Sequence, residues 1–327
     1  MIARILFLTF MLVGIPTMAQ ALDLQGHRGA RGLLPENTLP AFAKALAIGV
    51  TTLELDTGVT KDGVVVISHD PVLNPDITRS ADGKWVSSGP RLKDLTYDEL
   101  KTFDVGRIKP GSRTAGRFPD QQAVDGTPVP ALAHLFELVA RSGNESVRFN
   151  IETKINPQKP DDTVDPKTFA EALVATIQDH GLASRTAIQS FDWRTLQIVQ
   201  KLDPQIETVY LTAQQNWMDN VKATGGAASA WTAGFNLDDT DGNVAALIRK
   251  AGGDGWSPFY RDLDRAKVAD AQEQGLKVIP WTSNDEASME ALIEMGVDGI
   301  ITDYPDILRK VMERRGLPLP AATPVDG

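Results

Sequence analysis

The 327-residue chain contains no cysteine. Disulfides, thiolate zinc sites, cysteine nucleophiles and a lipoprotein anchor on cysteine are therefore excluded. A chain of this length can bury a core large enough to hold itself together without cross-links. Net positive charge is lacking as well: 33 basic residues face 43 acidic ones, a balance of −10. No basic stripe interleaved with aromatics interrupts that excess, so nucleic acid is not an expected partner. Long apolar runs are scarce. Residues 5–18 form a run of fourteen broken by small and turn residues, too short for a comfortable membrane span. The run follows Arg4 and leads to Ala19-Gln20-Ala21, the pattern of a secretory signal peptide with its cleavage site. An uncleaved anchor is the alternative. Residues 1–21 are read as the signal peptide, which leaves a mature chain of charge −11 and predicts a secreted, periplasmic protein. Hydrophobic content of 42% marks the remainder as globular rather than disordered.

Histidine is also rare, with four in the chain. Two of them, His27 and His69, bracket residues 26–70, and each ends an apolar run. Between them lie Glu54 and Asp56. At i and i+2 of a strand, both aim at one spot. Like charges that close raise each other's pKa, and a cation between them removes the conflict. A donor set made only of carboxylate oxygen suits Mg²⁺ or Ca²⁺. The competing reading is that Glu54 faces a barrel interior and pairs with an Arg or Lys.

Strands are predicted at 22–25, 51–57, 147–153, 186–190, 207–211, 255–258, 277–281 and 299–302, with a further extended piece at 64–68. Helices are predicted at 39–48, 131–141, 165–180, 192–202, 217–224, 243–250, 264–274, 286–295 and 306–314. Eight strand–helix units point to an α/β fold of the (β/α)₈ TIM-barrel type over residues 22–316, followed by a C-terminal tail at 317–327. A doubly wound open sheet is the alternative, but no Gly-x-Gly-x-x-Gly follows the first strand. Residues 71–128 break the alternation. They are rich in Gly, Pro, Asp and Arg, hold one predicted helix at 97–102, and read as an insertion after strand two. Such a segment is either a recognition element over one end of the barrel or solvated decoration.

In a barrel of this kind the reactive side chains stand at the carboxyl ends of strands. His27 and Arg28 end strand one, Glu54 and Asp56 strand two, Glu152 and Lys154 strand three, and Trp281 strand seven. Glu152 and Lys154 again share one face; they make either a plain ion pair or, with Glu54 and Asp56, the protein side of a divalent-ion site with open positions for substrate and water. His27 and His69 are the acid/base candidates, since imidazole titrates near neutrality. His134 and His180 have ordinary helical explanations. Arg28 and Lys154 supply positive charge where a phosphoryl group would sit. Trp281 either walls a pocket or packs. Asn37, Gln189, Ser190 and Asp303 are read as supporting or capping residues.

His27-Arg28-Gly29, Pro35-Glu36-Asn37-Thr38, Glu54-x-Asp56, Thr60-Lys61-Asp62-Gly63 and His69-Asp70, in this order and at these separations, resemble the glycerophosphodiester phosphodiesterase family. The likeness continues with Ile151-Glu152-Thr153-Lys154, Ser190-Phe191, Trp281-Thr282-Ser283-Asn284 and 296–303, and covers nearly all the chain after its first two dozen residues. The resemblance implies that Glu54, Asp56 and Glu152 ligate one divalent cation and that His27 and His69 are catalytic. It implies cleavage of a small glycerophosphodiester into glycerol 3-phosphate and an alcohol such as choline or ethanolamine. Export and oxygen ligands favour Ca²⁺ over Mg²⁺. Departures from the family pattern are Thr57-Gly58 and Ser283, none of them an implied ligand. The division of acid and base between the histidines, attack by water or by a neighbouring hydroxyl, and the oligomeric state stay open. Rival readings are a phospholipase D-like barrel acting on lysophospholipids or sphingolipids, a non-catalytic binding protein, and a sugar hydrolase using Glu54 and Glu152.

Overall fold

The computed structural model describes residues 21–326. The expected signal peptide therefore lies, but for Ala21, outside the described residues. β1 (Asp23–Gly26) leads to α1 (Leu39–Ile48), whose first turn holds Pro40 and is capped by the Thr38 side chain accepting from Ala41 N. Gly49, at φ 86°, stops the helix. β2 (Thr52–Val59) folds back antiparallel onto β3 (Val65–Ile67) through the turn at 60–63. Two short helices follow, α2 (Tyr97–Leu100), closed by a Thr96/Glu99 capping box, and α3 (Arg113–Arg117).

Regular alternation resumes with α4 (Leu132–Arg141), β4 (Arg148–Thr153), α5 (Pro166–Asp179), β5 (Thr186–Ser190), α6 (Trp193–Leu202) and β6 (Glu207–Thr212). A two-stranded hairpin, β7 (Gln214–Gln215) and β8 (Met218–Asp219), precedes α7 (Val244–Lys250). β9 (Gly255–Pro258), α8 (Arg265–Glu273), β10 (Lys277–Val278), α9 (Glu286–Met295), β11 (Gly299–Thr302) and α10 (Pro305–Arg314) complete the chain. The helices bury one stripe each; in α4 it is Leu132, Leu135, Phe136, Leu138 and Val139, the spacing of a helical face.

Eight parallel strands run side by side in the order β10-β9-β6-β5-β4-β2-β1-β11. The seam between β10 and β11 is bridged by Asp298 N to Val278 O at 2.9 Å, Ile301 N to Pro280 O at 3.0 Å and Ser283 N to Ile301 O at 3.2 Å. Pro280 has no N–H to donate, so the ladder is thinner there. The barrel is thus nearly closed, with helices outside, as a TIM barrel requires. Leu53, Leu55, Phe149, Ile151 and Ile188 are fully buried. They alternate along their strands with inward polar residues. Asn150 Nδ2 donates to Gln25 Oε1 (2.8 Å) and Gln189 Oε1 (3.0 Å), and Gln189 Nε2 donates to Glu54 Oε1 (2.8 Å).

Residues 68–131 are not loose. A second apolar cluster of Val66, Leu73, Leu92, Leu100, Val105 and Val129 packs beneath them. Asp104 receives the backbone N–H groups of Gly106, Gly126 and Thr127. The helix expected at 217–224 is absent. Met218–Asp219 instead pairs back on Gln214–Gln215, and Asn220 accepts from Ala213 N (2.9 Å) while donating to Leu211 O (3.0 Å). An Asn side chain that satisfies local backbone groups competes directly with helix formation. The strand expected at 277–281 is likewise cut to Lys277–Val278 at the proline. No helix among the described residues is long and apolar enough to cross a membrane.

Candidate active site

Register assembles the acids. β2 and β4 pair with Asp56 opposite Glu152 and Glu54 opposite Asn150. Leu53 and Leu55 take the helix side, so Glu54 and Asp56 take the barrel side. One oxygen from each of Glu54, Asp56 and Glu152 lies within 4.8 Å of the others. The three residues are 2%, 1% and 6% exposed, so water cannot neutralise them. Burial, with the Asp56 charge beside it, pushes Glu54 well above the usual carboxylate range. Burial and the same neighbour take Glu152 up to about 7, against the pull of Lys154. Asp56 goes the other way: burial pushes it up, but the charges of Arg28, His69, Lys154 and His27 together hold it well below the ordinary value. Asp56 Oδ1 is buried with no hydrogen-bond partner, and Lys154 Nζ stands 3.8 Å away. An orphaned carboxylate oxygen among three converging acids is the donor set of a hard divalent cation, and these residues fit such an ion.

The histidines stand on either side of the acids, each with a carboxylate on Nδ1. His27 Nδ1 lies 2.5 Å from Asp303 Oδ1, and Asp303 Oδ2 accepts from Asn284 Nδ2 at 2.7 Å. His69 Nδ1 lies 2.8 Å from Asp70 Oδ1, and Asp70 Oδ2 accepts from Asn74 Nδ2 at 2.8 Å. A carboxylate on Nδ1 fixes each ring and leaves Nε2 as the nitrogen turned toward the acids; at His27 that nitrogen also receives Arg28 Nε at 3.2 Å. Burial lowers both imidazole pKa values; at His69 the cations of Arg28 and Lys154 lower it further, and at His27 Asp303 opposes the shift. Burial pushes both aspartates up, but the contacts with the histidines carry each down to about 2.

Arg28 is the hub rather than a free arm. Its Nη1 donates to Glu36 Oε1 (2.7 Å), its Nε lies 3.0 Å from Asp56 Oδ2, and that Nε also donates to His27 Nε2 (3.2 Å). Its backbone N donates to Glu54 Oε2 at 3.0 Å. To do this Arg28 and Asn37 take φ 50° and 58°, the left-handed region that non-glycine residues avoid at a cost of about 1 kcal/mol or more. Gly29 follows at φ 86°, where a Cβ would come within 2.7 Å of the Ala41 carbonyl carbon. Asn37 Nδ2 in turn donates to Asp56 Oδ2 (2.9 Å), and Arg31 Nε pairs with Glu36 Oε2 (2.6 Å).

His27, Arg28, Glu54, His69, Glu152, Lys154 and Trp281 line one cavity of about 170 Å³, and Asp56 joins them through the acid cluster and its 3.0 Å contact with Arg28 Nε. All eight residues singled out by sequence are thus brought together. Lys154 Nζ sits 2.9 Å from Glu152 Oε1, and the Trp281 ring meets Phe191 edge-on at 5.3 Å. Of the supporting residues, Gln189, Asn37 and Asp303 touch the site directly, whereas Ser190 Oγ bonds to Thr153 O. His134 and His180 do not line the cavity; they bond to Tyr97 Oη and Thr176 O. Roles for Glu36, Arg31, Asp70, Asn74, Asn284 and Phe191 were not legible from spacing. Only the adjacency of Asp70 to His69 gave a local signal.

Comparison with known proteins agrees with this geometry. The model of the glycerophosphoryl diester phosphodiesterase family matches residues 27–307. A glycerophosphodiester phosphodiesterase of Caldanaerobacter subterraneus subsp. tengcongensis is 29% identical over 290 residues, spanning 89% of this chain and 97% of that protein. One of Bacillus subtilis is also 29% identical, over 87% of this chain and 84% of that protein. Among solved structures, a Silicibacter pomeroyi protein provisionally described as a glycerophosphoryl diester phosphodiesterase superposes with a TM-score of 0.80. It is 32% identical and covers 91% of this chain and 95% of its own.

Proposed function

The chain belongs to the glycerophosphoryl diester phosphodiesterase family, and from that premise we propose that it hydrolyses glycerophosphodiesters to glycerol 3-phosphate and an alcohol. The observation that carries the reading is one cavity facing both histidines, Lys154 and the acid cluster. Glu54, Asp56 and Glu152 would hold a divalent cation. Bound there, it would offset the negative charge of the acids and draw electron density from phosphate oxygens.

The remaining work falls to the protein's own side chains. Lys154, kept charged by Glu152 and Asp56 despite burial, presents an ammonium to a phosphoryl oxygen. Arg28, tied to Glu36, Asp56 and His27, holds the His27 ring and the acids in register and adds its charge to the chamber. One histidine takes the proton of the attacking hydroxyl at Nε2. The other delivers a proton to the departing alkoxide as the P–O bond breaks, so that water is added across that bond. Asp303 and Asp70 stabilise the imidazolium in each case.

Calcium is the ion assigned, because a site of carboxylates with open positions suits a large, flexible oxygen coordination shell. Residues 1–21 are assigned as an export signal and the periplasm as the destination, on the charge, apolar run and A-x-A pattern of the sequence. The test is release of glycerol 3-phosphate from glycerophosphodiesters by the chain from Leu22 onward, with Ca²⁺, with Mg²⁺ and after EDTA. Turnover restored by Ca²⁺ above Mg²⁺ is expected. Full turnover after EDTA would overturn the metal assignment, and no turnover of any glycerophosphodiester would overturn the activity.

A further inference from the structure

Beside the histidines, three cationic side chains line the catalytic cavity: Arg28, Arg31 and Lys154. Lys154 Nζ rests on Glu152 Oε1, and Arg28 spends Nε and Nη1 on His27, Asp56 and Glu36. Arg31 is held differently, at one edge and on one face. Its Nε pairs with Glu36 Oε2 at 2.6 Å, and the Phe118 ring lies 4.5 Å from its Cζ. Neither Nη nitrogen of Arg31 makes a hydrogen bond among the described residues, although the side chain is only 15% exposed. Its charge acts on both His27 and Asp303, which sets it on the His27 side of the cavity. The support comes from the inserted segment. Phe118, buried at the end of α3, supplies the ring; Gln121 Nε2 donates to Arg31 O at 2.7 Å and Gln122 N to Leu33 O at 2.9 Å. Residues 118–122 thus fix Arg31 by its backbone and by its guanidinium, yet none of them lines the cavity.

We propose that Arg31 is a further substrate-binding residue, its two Nη nitrogens taking an anionic oxygen of the phosphoryl group, and that Phe118 of the inserted segment is the residue that positions it. The proposal rests on the phosphodiesterase reading above. A guanidinium with unspent donors in a mostly buried wall gains most from an anionic oxygen, because two parallel N–H groups match it and little water competes. Glu36 cannot satisfy Arg31 alone, since its other oxygen is taken by Arg28 Nη1. Lys154 lies on the wall that the cavity shares with a neighbouring groove of about 380 Å³, whereas Arg31 lies on the wall that it does not share. A phosphoryl group between these walls meets a cation on each side. The ring of Phe118 holds the guanidinium plane without consuming a donor, which a carboxylate in its place would do. The inserted segment therefore takes part in recognition through a residue it supports rather than one it supplies.

The test is calorimetric titration of glycerol 3-phosphate, which carries the phosphoryl group but no diester bond, into the chain in the presence of Ca²⁺. Arg31→Gln is expected to weaken its binding about tenfold, and Arg31→Lys about threefold, since an ammonium restores the charge without the fork. Ca²⁺ affinity, titrated without glycerol 3-phosphate, should stay within about twofold in both variants, because Arg31 pairs with none of the three acids. Phe118→Leu fills the space without an aromatic face; it should weaken glycerol 3-phosphate about twofold to threefold and keep the parent's melting temperature. In turnover, Arg31→Gln should raise KM about tenfold and leave kcat within about threefold, the mark of a contact made alike in ground and transition states. Glycerol 3-phosphate binding unchanged by Arg31→Gln, or a loss matched by an equal loss of Ca²⁺ affinity, would overturn the proposal. Binding that depends on Arg31 but comes without hydrolysis of any diester would support the contact and overturn the activity instead. Hydrolysis with glycerol 3-phosphate binding indifferent to Arg31 would do the reverse.

Discussion

The two histidine relays use the same parts and are built in opposite ways. His27–Asp303–Asn284 joins residues up to 276 positions apart, from just after β1, the loop between β10 and α9, and just after β11. His69–Asp70–Asn74 lies within six consecutive positions after β3. The His27 and Asp303 side chains are 11% and 4% exposed; those of His69 and Asp70 are 32% and 35%. The first relay is therefore a product of barrel closure and helps to hold the seam. The second is local chemistry on a segment resting against the barrel mouth. Equal chemistry in unequal settings means that damage to the first should reach the fold, while damage to the second should stay in the reaction.

The largest effect tests the equality. His27→Ala and His69→Ala should each lower kcat by about 10²–10⁴-fold, with the double variant little worse than either single one, because the two protons move in one event. Steady-state kinetics on glycerophosphodiesters would measure this. A silent His69→Ala would reduce the second relay to decoration and leave His27 to work alone.

The next effect tests the inequality. Asp303→Asn removes the carboxylate that receives both His27 Nδ1 and Asn284 Nδ2 in a buried setting, and should cost about 1–3 kcal/mol of stability as well as activity. Asp70→Asn should lower kcat with a melting temperature close to the parent's. Denaturant titration of the two variants side by side gives the answer. Equal destabilisation would show that the segment after β3 is as integral to the fold as the seam.

That contrast also separates what the sequence made legible from what it did not. Eight strand–helix units and the i, i+2 acids are written in local periodicity, so barrel and carboxylate cluster are legible in the sequence. His69-Asp70 adjacency is likewise plain in the sequence. The Asp303 contact is not, because its spacing to His27 carries no local pattern and only the β1–β11 register makes them neighbours. Arg28 illustrates a different limit: sequence gave its charge but not that Glu36 and Asp56 would occupy its guanidinium. At 217–224 the helical pattern was overridden by Asn220, whose side chain takes the backbone groups of residues 211 and 213.

Acid titration sharpens the comparison further. Both aspartates fall from the ordinary 3.8 to about 2. A carboxylate with a depressed folded-state pKa contributes stability that is present above the ordinary value and lost as pH falls through the folded one. The window is therefore from about pH 4 down to about pH 2. Within it the parent should lose stability with a slope that Asp303→Asn flattens. Asp70→Asn should flatten it less, since solvent screens the more exposed pair. Melting temperatures across that range measure both slopes, and identical flattening would erase the distinction between a structural and a local relay.

The smallest effect concerns the outer links. Asn284 does more than orient Asp303: its Oδ1 accepts from Asp303 N (2.9 Å) and Thr302 Oγ1 (3.3 Å), tying the end of β11 to the loop before α9. Asn74 has one comparable backbone bond, accepting from Asp76 N at 2.9 Å. Asn74→Ala should change kcat by only about three- to tenfold, through a looser Asp70, and leave unfolding unchanged. Asn284→Ala should give a similar kinetic loss together with about 1 kcal/mol of destabilisation, because the buried Asp303 N loses its acceptor. If Asn74→Ala proves kinetically silent while Asp70→Asn does not, the Asp70–His69 contact holds its geometry without support. The local relay would then end at the carboxylate, and only the seam relay would need its third member.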